Sequence, residues 1–155
     1  MKFIIEAVII FSLSIVSAIG FSHYKKIPIF PKNIEVFLYS RKYPEIEFID
    51  AERLYYLIKK NEVFLIDARE KDEYIKGHIE GAVNFPYSEF YMDPAKFIDK
   101  IDTQRKIVVY CEGGFCELSF KVAEILKDLG IKDLVIYIGG FNDWKKRNYP
   151  VETGL

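Results

Sequence analysis

The chain has 155 residues, of which 50% are apolar and 16% aromatic, enough for one compact domain with its own core and little more. Its net charge of −1 at pH 7 argues against a nucleic-acid partner, since such a partner favours a surplus of basic side chains. Two cysteines and two histidines are too few for a disulfide framework and do not favour a zinc site. We therefore expect neither a metal nor another cofactor.

Residues 3–22, FIIEAVIIFSLSIVSAIGFS, form an apolar stretch in which Glu6 is the single charge. As a helix, a stretch of this length extends about 30 Å, the thickness of a bilayer's hydrocarbon core. We predict a transmembrane signal anchor over residues 1–22. The VSA sequence at 16–18 leaves a cleaved signal peptide as an alternative, and a fully covered core helix is another. The short positive N-terminus favours an extracytoplasmic domain, although lysines on the other flank oppose this orientation.

Residues 23–44 have the composition of a connector, with prolines at 28, 31 and 44. Within it, IEVFLYS at 34–40 is too apolar for a free linker, so we expect it to lie on the domain. The domain itself is predicted to occupy residues 45–155.

From residue 46 onward, short β-rich runs alternate with helical patterns. The predicted strands are IEFI (46–49), VFLI (63–66), GAVNFP (81–86), KIVVY (106–110) and LVIYI (134–138). Helices are predicted after Asp50, around 74–75, over 94–101, over 118–129 and after GGFNDW (139–144). This alternation predicts an α/β fold, with an open, mostly parallel five-stranded sheet and helices on both faces.

The stretch VVYCEGGFCELSF at 108–120 places Cys111 at the carboxyl end of a predicted strand, where parallel sheets bind their ligands. Backbone N–H groups of a glycine-rich loop and of a helix N-terminus can stabilise a thiolate there. We therefore predict that Cys111 is a nucleophile, although a buried, inert cysteine is the alternative. The predicted loop around it consists of Glu112, Gly113, Gly114, Phe115, Cys116 and Glu117.

Four motifs occur in the order typical of rhodanese-like domains, and the chain resembles that family over about residues 46–153. The motifs are LIDARE (65–70), EYIKGHIEGAVNFP (73–86), VVYCEGGFCELS (108–119) and GGFNDWKKRNYPVETG (139–154). The resemblance implies a sulfurtransferase in which Cys111 carries a persulfide from a sulfur donor to a thiol or protein acceptor.

The loop departs from the commonest family pattern, in which a basic residue near the loop end helps to hold an anionic donor. Here Cys116 and Glu117 stand at that place, and Glu112 borders the loop. Two carboxylates repel a dianion. We therefore expect a thiol persulfide as donor rather than thiosulfate. The same acidic residues argue against a phosphatase.

Three further residues are expected to support the site. Asp67 and Arg69 are predicted to form an ion pair at a strand end, and Ser119 to bond within the first turn of the following helix. Cys116 is either a packing residue or a second thiol that resolves a persulfide or pairs with Cys111. Two other functions therefore stay open: a non-catalytic rhodanese-like binding module near the membrane, and a dithiol redox protein.

Overall fold

The computed structural model describes residues 11–12, 34–114 and 116–154. The chain divides into two compact units, Met1–Phe37 and Leu38–Leu155, and the second contains every described strand. Apart from the helical positions 11 and 12, the predicted signal anchor lies outside the described residues. Within the described ranges, no helix combines the length and apolar character needed to cross a membrane.

Five parallel strands form the main sheet, in agreement with the sequence prediction. They are β1 (Glu47–Phe48), β2 (Val63–Asp67), β4 (Val83–Asn84), β5 (Lys106–Tyr110) and β6 (Leu134–Tyr137). Their order across the sheet is β1-β6-β5-β2-β4. Two further short strands, β3 (His78–Ile79) and β7 (Val151–Glu152), pair antiparallel in a small second sheet that the sequence pattern did not predict.

From residue 34 onward, the described residues contain seven helices. They are α1 (Ile34–Lys42), α2 (Ala51–Lys59), α3 (Lys71–Lys76), α4 (Tyr87–Met92), α5 (Ala95–Ile98), α6 (Leu118–Asp128) and α7 (Gly140–Lys146). Asp50 caps α2 as expected, because its Oδ1 accepts the Arg53 amide at 2.7 Å. Helix α5 is shorter than the predicted helix over 94–101, since the next residues bond three positions back and tighten into a turn.

The connector between residues 23 and 44 contains helix α1 at its end. From Leu38 onward this helix belongs to the same compact unit as the sheet. The Tyr39 ring is buried and stacks on the Phe120 ring of α6, with centroids 4.4 Å apart. The chain preceding the first strand is therefore packed against the helix that follows the predicted catalytic loop.

The pairing of the two central strands positions the site. Strand β2 is buried along its whole length and β5 along all but its first residue, so both faces of the sheet are covered. Asp67 is in register with Tyr110, the last residue of β5. The segments that follow Asp67 and Tyr110 therefore leave the sheet side by side. Cys111 is the first residue of the second segment.

Candidate active site

A buried ion pair lies directly beneath the loop that begins at Cys111. The Arg69 guanidinium contacts the Asp67 carboxylate at 2.7 Å, and both side chains are at most 3% exposed. The Tyr110 hydroxyl donates to Asp67 Oδ2 at 2.6 Å and accepts the Ile79 amide at 3.1 Å. Arg69 also donates to the Gly77 carbonyl. The predicted ion pair is thus present, as part of a larger hydrogen-bonded network.

These contacts change the ionisation of the buried groups. Burial lowers the pKa of Arg69, but its hydrogen bonds with Asp67 outweigh that effect and the net pKa is raised. Burial and the neighbouring Asp67 carboxylate raise the pKa of Tyr110 well above its usual value. Asp67 is therefore held between a permanent cation and a neutral hydroxyl donor.

The loop packs backbone to backbone against Gly139 and the first residues of α7. The Phe141 amide donates to the Cys111 carbonyl at 2.9 Å. Gly113 has a φ of +103°, which favours glycine, and a Cβ at this position would overlap the Gly139 carbonyl oxygen. A Cβ at Gly140 would overlap the Gly113 amide nitrogen. The glycines of the loop and of the GGFNDW motif are therefore needed for the same close contact.

The two cysteines of the loop face each other as free thiols. Cys111 is 3% exposed, whereas Cys116 is half-buried. The Cys111 Sγ lies 3.3 Å from the Cys116 carbonyl oxygen and 3.5 Å from the Ser119 Oγ. Cys116 is held in a tight turn in which its amide bonds to the Gly113 carbonyl. The predicted residues Cys111, Cys116 and Ser119 are thus brought together.

A hydrogen bond between the two thiols makes them unequal acids. Donation to Cys116 raises the pKa of Cys111, and burial raises it further. The same bond lowers the pKa of Cys116 to about 6, with help from the Leu118 and Glu112 amides. The sequence predicted that the amides of the loop converge on Cys111, and among the described loop residues the Gly113 amide favours the anion there. The Glu112 amide and the Leu118 amide, with which α6 begins, favour the anion at Cys116 instead.

The two acidic residues of the loop are each paired with a cation. Glu112 contacts Arg69 at 3.1 Å, and Glu117 contacts Lys42 at 2.7 Å. The hydrogen bond from Lys42 lowers the pKa of Glu117. The two carboxylates are therefore not the uncompensated charges that the sequence predicted near the donor.

Two residues near the loop escaped the sequence analysis. Lys42 and Tyr39 come from α1, which carries none of the family motifs. Burial raises the pKa of Tyr39, and the charges of Glu117, Cys111 and Cys116 contribute to the shift. The apolar IEVFLYS pattern was the one signal that this segment packs on the domain.

Gly114 and Phe115 are the remaining predicted loop residues. Gly114 has a φ of +64° with open space around it, and Phe115 lies outside the described residues. Across residues 34–114 and 116–154, no group of three or more histidine, cysteine or acidic side chains is arranged to hold a metal ion.

The family model of the rhodanese-like domain matches residues 50–147. The chain belongs to the rhodanese-like family. A rhodanese-related protein from Thermoplasma volcanium has the same fold: it is 31% identical, with a TM-score of 0.56, and the match covers 68% of this chain and 97% of that one. The resemblance inferred from the four ordered motifs is thereby confirmed.

Two relatives differ in what their names state. The thiosulfate sulfurtransferase GlpE of Coxiella burnetii is 30% identical over 103 residues, which cover 66% of this chain and 88% of the relative. The HTH-type transcriptional regulator Rv0324 of Mycobacterium tuberculosis is 33% identical over 93 residues, or 60% of this chain. The match covers only 39% of that regulator, so most of the regulator lies outside the part that is similar to this chain.

Proposed function

We propose that this rhodanese-like protein is a sulfurtransferase in which Cys111 carries the transferred sulfur as a persulfide. The observation that supports this most directly is the position of Cys111. It is the first residue after a central parallel strand, in a glycine-rich loop that leads into a helix. The activity that the name of the GlpE relative states points to the same chemistry.

The surroundings of Cys111 supply part of what an anionic sulfur needs. The interaction with Cys116 and burial raise the pKa of Cys111, whereas the Ser119 hydroxyl and the Gly113 amide favour its anion. The Cys116 thiolate, whose pKa is lowered, can take the proton from the Cys111 thiol and so form the attacking Cys111 thiolate. The sulfur attacks the outer sulfur of a donor, the donor's sulfur–sulfur bond breaks, and Cys111 keeps the transferred sulfur. An acceptor thiolate then attacks that outer sulfur and restores the Cys111 thiolate. Thiolate, rather than thiol, is the reacting form in both steps.

A thiol persulfide is our proposed donor, and its support is the balance of charge around the loop. Arg69 and Lys42, the cations that contact the loop, are neutralised by Glu112 and Glu117. Such a balanced surface attracts a dianion such as thiosulfate weakly, because the attraction depends on net charge near the site. Thiosulfate stays the competing donor, since the GlpE relative is named for it.

The test is sulfur uptake by the intact, reduced protein. Incubation with glutathione persulfide or thiosulfate, followed by intact mass spectrometry, should show one added sulfur atom in a Cys116→Ser variant, in which Cys111 is the only thiol. Cys111→Ser should lose cyanide-dependent sulfur transfer by at least about 1,000-fold. Absence of uptake from every donor would contradict the enzyme and favour a non-catalytic binding module. A kcat/KM for thiosulfate above that for the persulfide would overturn the proposed donor.

We also propose that residues 1–22 anchor the protein in a membrane, with residues 45–155 forming the domain on its extracytoplasmic side. The support is the apolar run over 3–22, with its single charge. Full-length protein should stay with membranes through an alkaline carbonate wash, and external protease should cleave the domain in spheroplasts. Release by carbonate, or an N-terminus beginning after residue 18 in the mature chain, would contradict the anchor.

A further inference from the structure

Cys116 is the nucleophilic group that the transfer reaction described above leaves unused. A sulfurtransferase with one carrier thiol needs no second thiol in its loop. Here, however, the Cys111 Sγ contacts Cys116 at its carbonyl oxygen, and Cys116 is the more exposed residue of the two. The question is therefore what Cys116 does once Cys111 carries a persulfide.

We propose that Cys116 is a resolving cysteine, which attacks the Cys111 persulfide, releases sulfide and leaves a Cys111–Cys116 disulfide. This inference rests on the proposed function, because it requires sulfur on Cys111 first. It makes the protein a persulfide reductase as well as a sulfur carrier, with a soluble dithiol as the reductant that completes the cycle.

The geometry favours this intramolecular step. Cys111 is 3% exposed, so an external acceptor must reach into the loop to meet its sulfur. Cys116 is already there: its carbonyl oxygen is 3.3 Å from the Cys111 Sγ, and each thiol shifts the pKa of the other. A reacting group held in contact has a large advantage over one that must diffuse to the site.

The loop also supports an anion on Cys116. The Leu118 amide, at the beginning of α6, and the Glu112 amide of the glycine-rich loop both lower the pKa of Cys116. Two features oppose the anion, namely partial burial and the nearby Glu112 carboxylate. Tyr39 is a further titratable group whose ionisation is linked to both sulfurs. The balance lies with the anion, so the attacking group has the correct ionisation at neutral pH.

The reaction balances without an external oxidant. The Cys116 thiolate attacks the inner sulfur of the Cys111 persulfide, a new sulfur–sulfur bond forms, and the persulfide bond breaks. Hydrosulfide leaves with the electron pair of the broken bond. The transferred sulfur is reduced to sulfide, and the two cysteines are oxidised to a disulfide. A dithiol then reduces the disulfide by two successive exchanges and becomes a disulfide itself.

The test uses one equivalent of glutathione persulfide as donor and the reduced full-length protein, with no thiol added, so that the glutathione released by the transfer is the one other thiol and never exceeds the protein. Wild type should release one sulfide per chain and lose the mass of two hydrogens. The loss should map to the tryptic peptide 107–121, which contains both cysteines. Cys116→Ser should instead keep one sulfur on Cys111 and release no sulfide. A wild-type protein that keeps its persulfide without forming a disulfide would overturn the resolving role while leaving the sulfurtransferase intact. Absence of sulfur uptake in both proteins would overturn both proposals.

The pH dependence of alkylation supplies a second readout that needs no donor. Because the pKa of Cys116 is lowered to about 6, its reaction with iodoacetamide should rise through a midpoint near that pH. The interaction with Cys111 is the largest cause of the lowered pKa of Cys116. Cys111→Ala removes it, so the midpoint of alkylation should move up towards that of an ordinary thiol. An unchanged midpoint in that variant would overturn the coupling between the two sulfurs on which the resolving step depends.

Discussion

The loop at residues 111–117 is held on two sides by ion pairs that differ in the burial of their cation. On its inner side, Glu112 contacts Arg69, and these two side chains are 39% and 3% exposed. On its outer side, Glu117 contacts Lys42, and these two side chains are 45% and 54% exposed. We call the first the inner pair and the second the outer pair. Both join a loop carboxylate to a cation distant in sequence, yet their surroundings differ in solvent access.

The difference separates what holds the fold from what adjusts the loop. The inner pair extends a network in which Asp67 and Arg69 are buried together, so removing one member leaves an uncompensated charge. The outer pair is solvated, and such pairs contribute little to stability. The inner pair also lies within residues 50–147, which match the family model, whereas Lys42 lies outside them. We infer that the family fold depends on the inner pair, while α1 adds the outer pair at the surface of the loop.

The largest effect is expected from breaking the network under the inner pair. Arg69→Met should lower the free energy of unfolding by about 3–5 kcal/mol, because the Asp67 carboxylate stays buried without its cation. Urea denaturation at neutral pH measures this loss. Adding Asp67→Asn should restore part of the stability, since the amide is neutral and its oxygen still accepts from Tyr110. A double variant as unstable as Arg69→Met would show that lost packing, rather than buried charge, explains the effect.

A smaller loss is expected when the network keeps its charges but loses one hydroxyl. Tyr110→Phe removes the donor to Asp67 and the acceptor of the Ile79 amide. A buried group left without a partner costs about 1–3 kcal/mol. The measurement is again urea denaturation, together with faster hydrogen exchange at the Ile79 amide. Tyr56→Phe, at a tyrosine that is 46% exposed, is the matched control and should leave stability unchanged.

The inner pair was within reach of sequence reasoning, and the outer pair was not. Strands β2 and β5 were predicted from continuous β-rich runs, and adjacent parallel strands end at the same edge of a sheet. The acidic residue after Cys111 and the arginine after Asp67 could therefore have been expected to meet. Lys42 and Glu117 are 75 positions apart, and no periodicity or motif relates them.

The same limit explains the elements that the sequence did not predict. Strands β3 and β7 have two residues each, too few for an alternation of apolar and polar side chains to be recognised. Their pairing joins His78 to Glu152, which are far apart in the sequence. Likewise, nothing local indicates which sulfur the loop amides reach, because this depends on how tightly Gly113 packs against Gly139.

The outer pair should yield the smallest effect, and one on kinetics rather than stability. Lys42→Met removes the cation but keeps the length of the side chain, so the urea midpoint should not change measurably. Glu117 then carries an uncompensated charge beside Cys116. Turnover with thiosulfate should fall about two- to fivefold, and about 1 M salt should largely restore it by screening. Lys42→Arg should behave as wild type.

A loss of stability in Lys42→Met comparable to that of Arg69→Met would contradict the distinction between the two pairs, because it would make α1 as necessary to the fold as the buried network. A fall in turnover that salt does not relieve would instead indicate that Lys42 positions the loop through the packing of α1, and not through its charge.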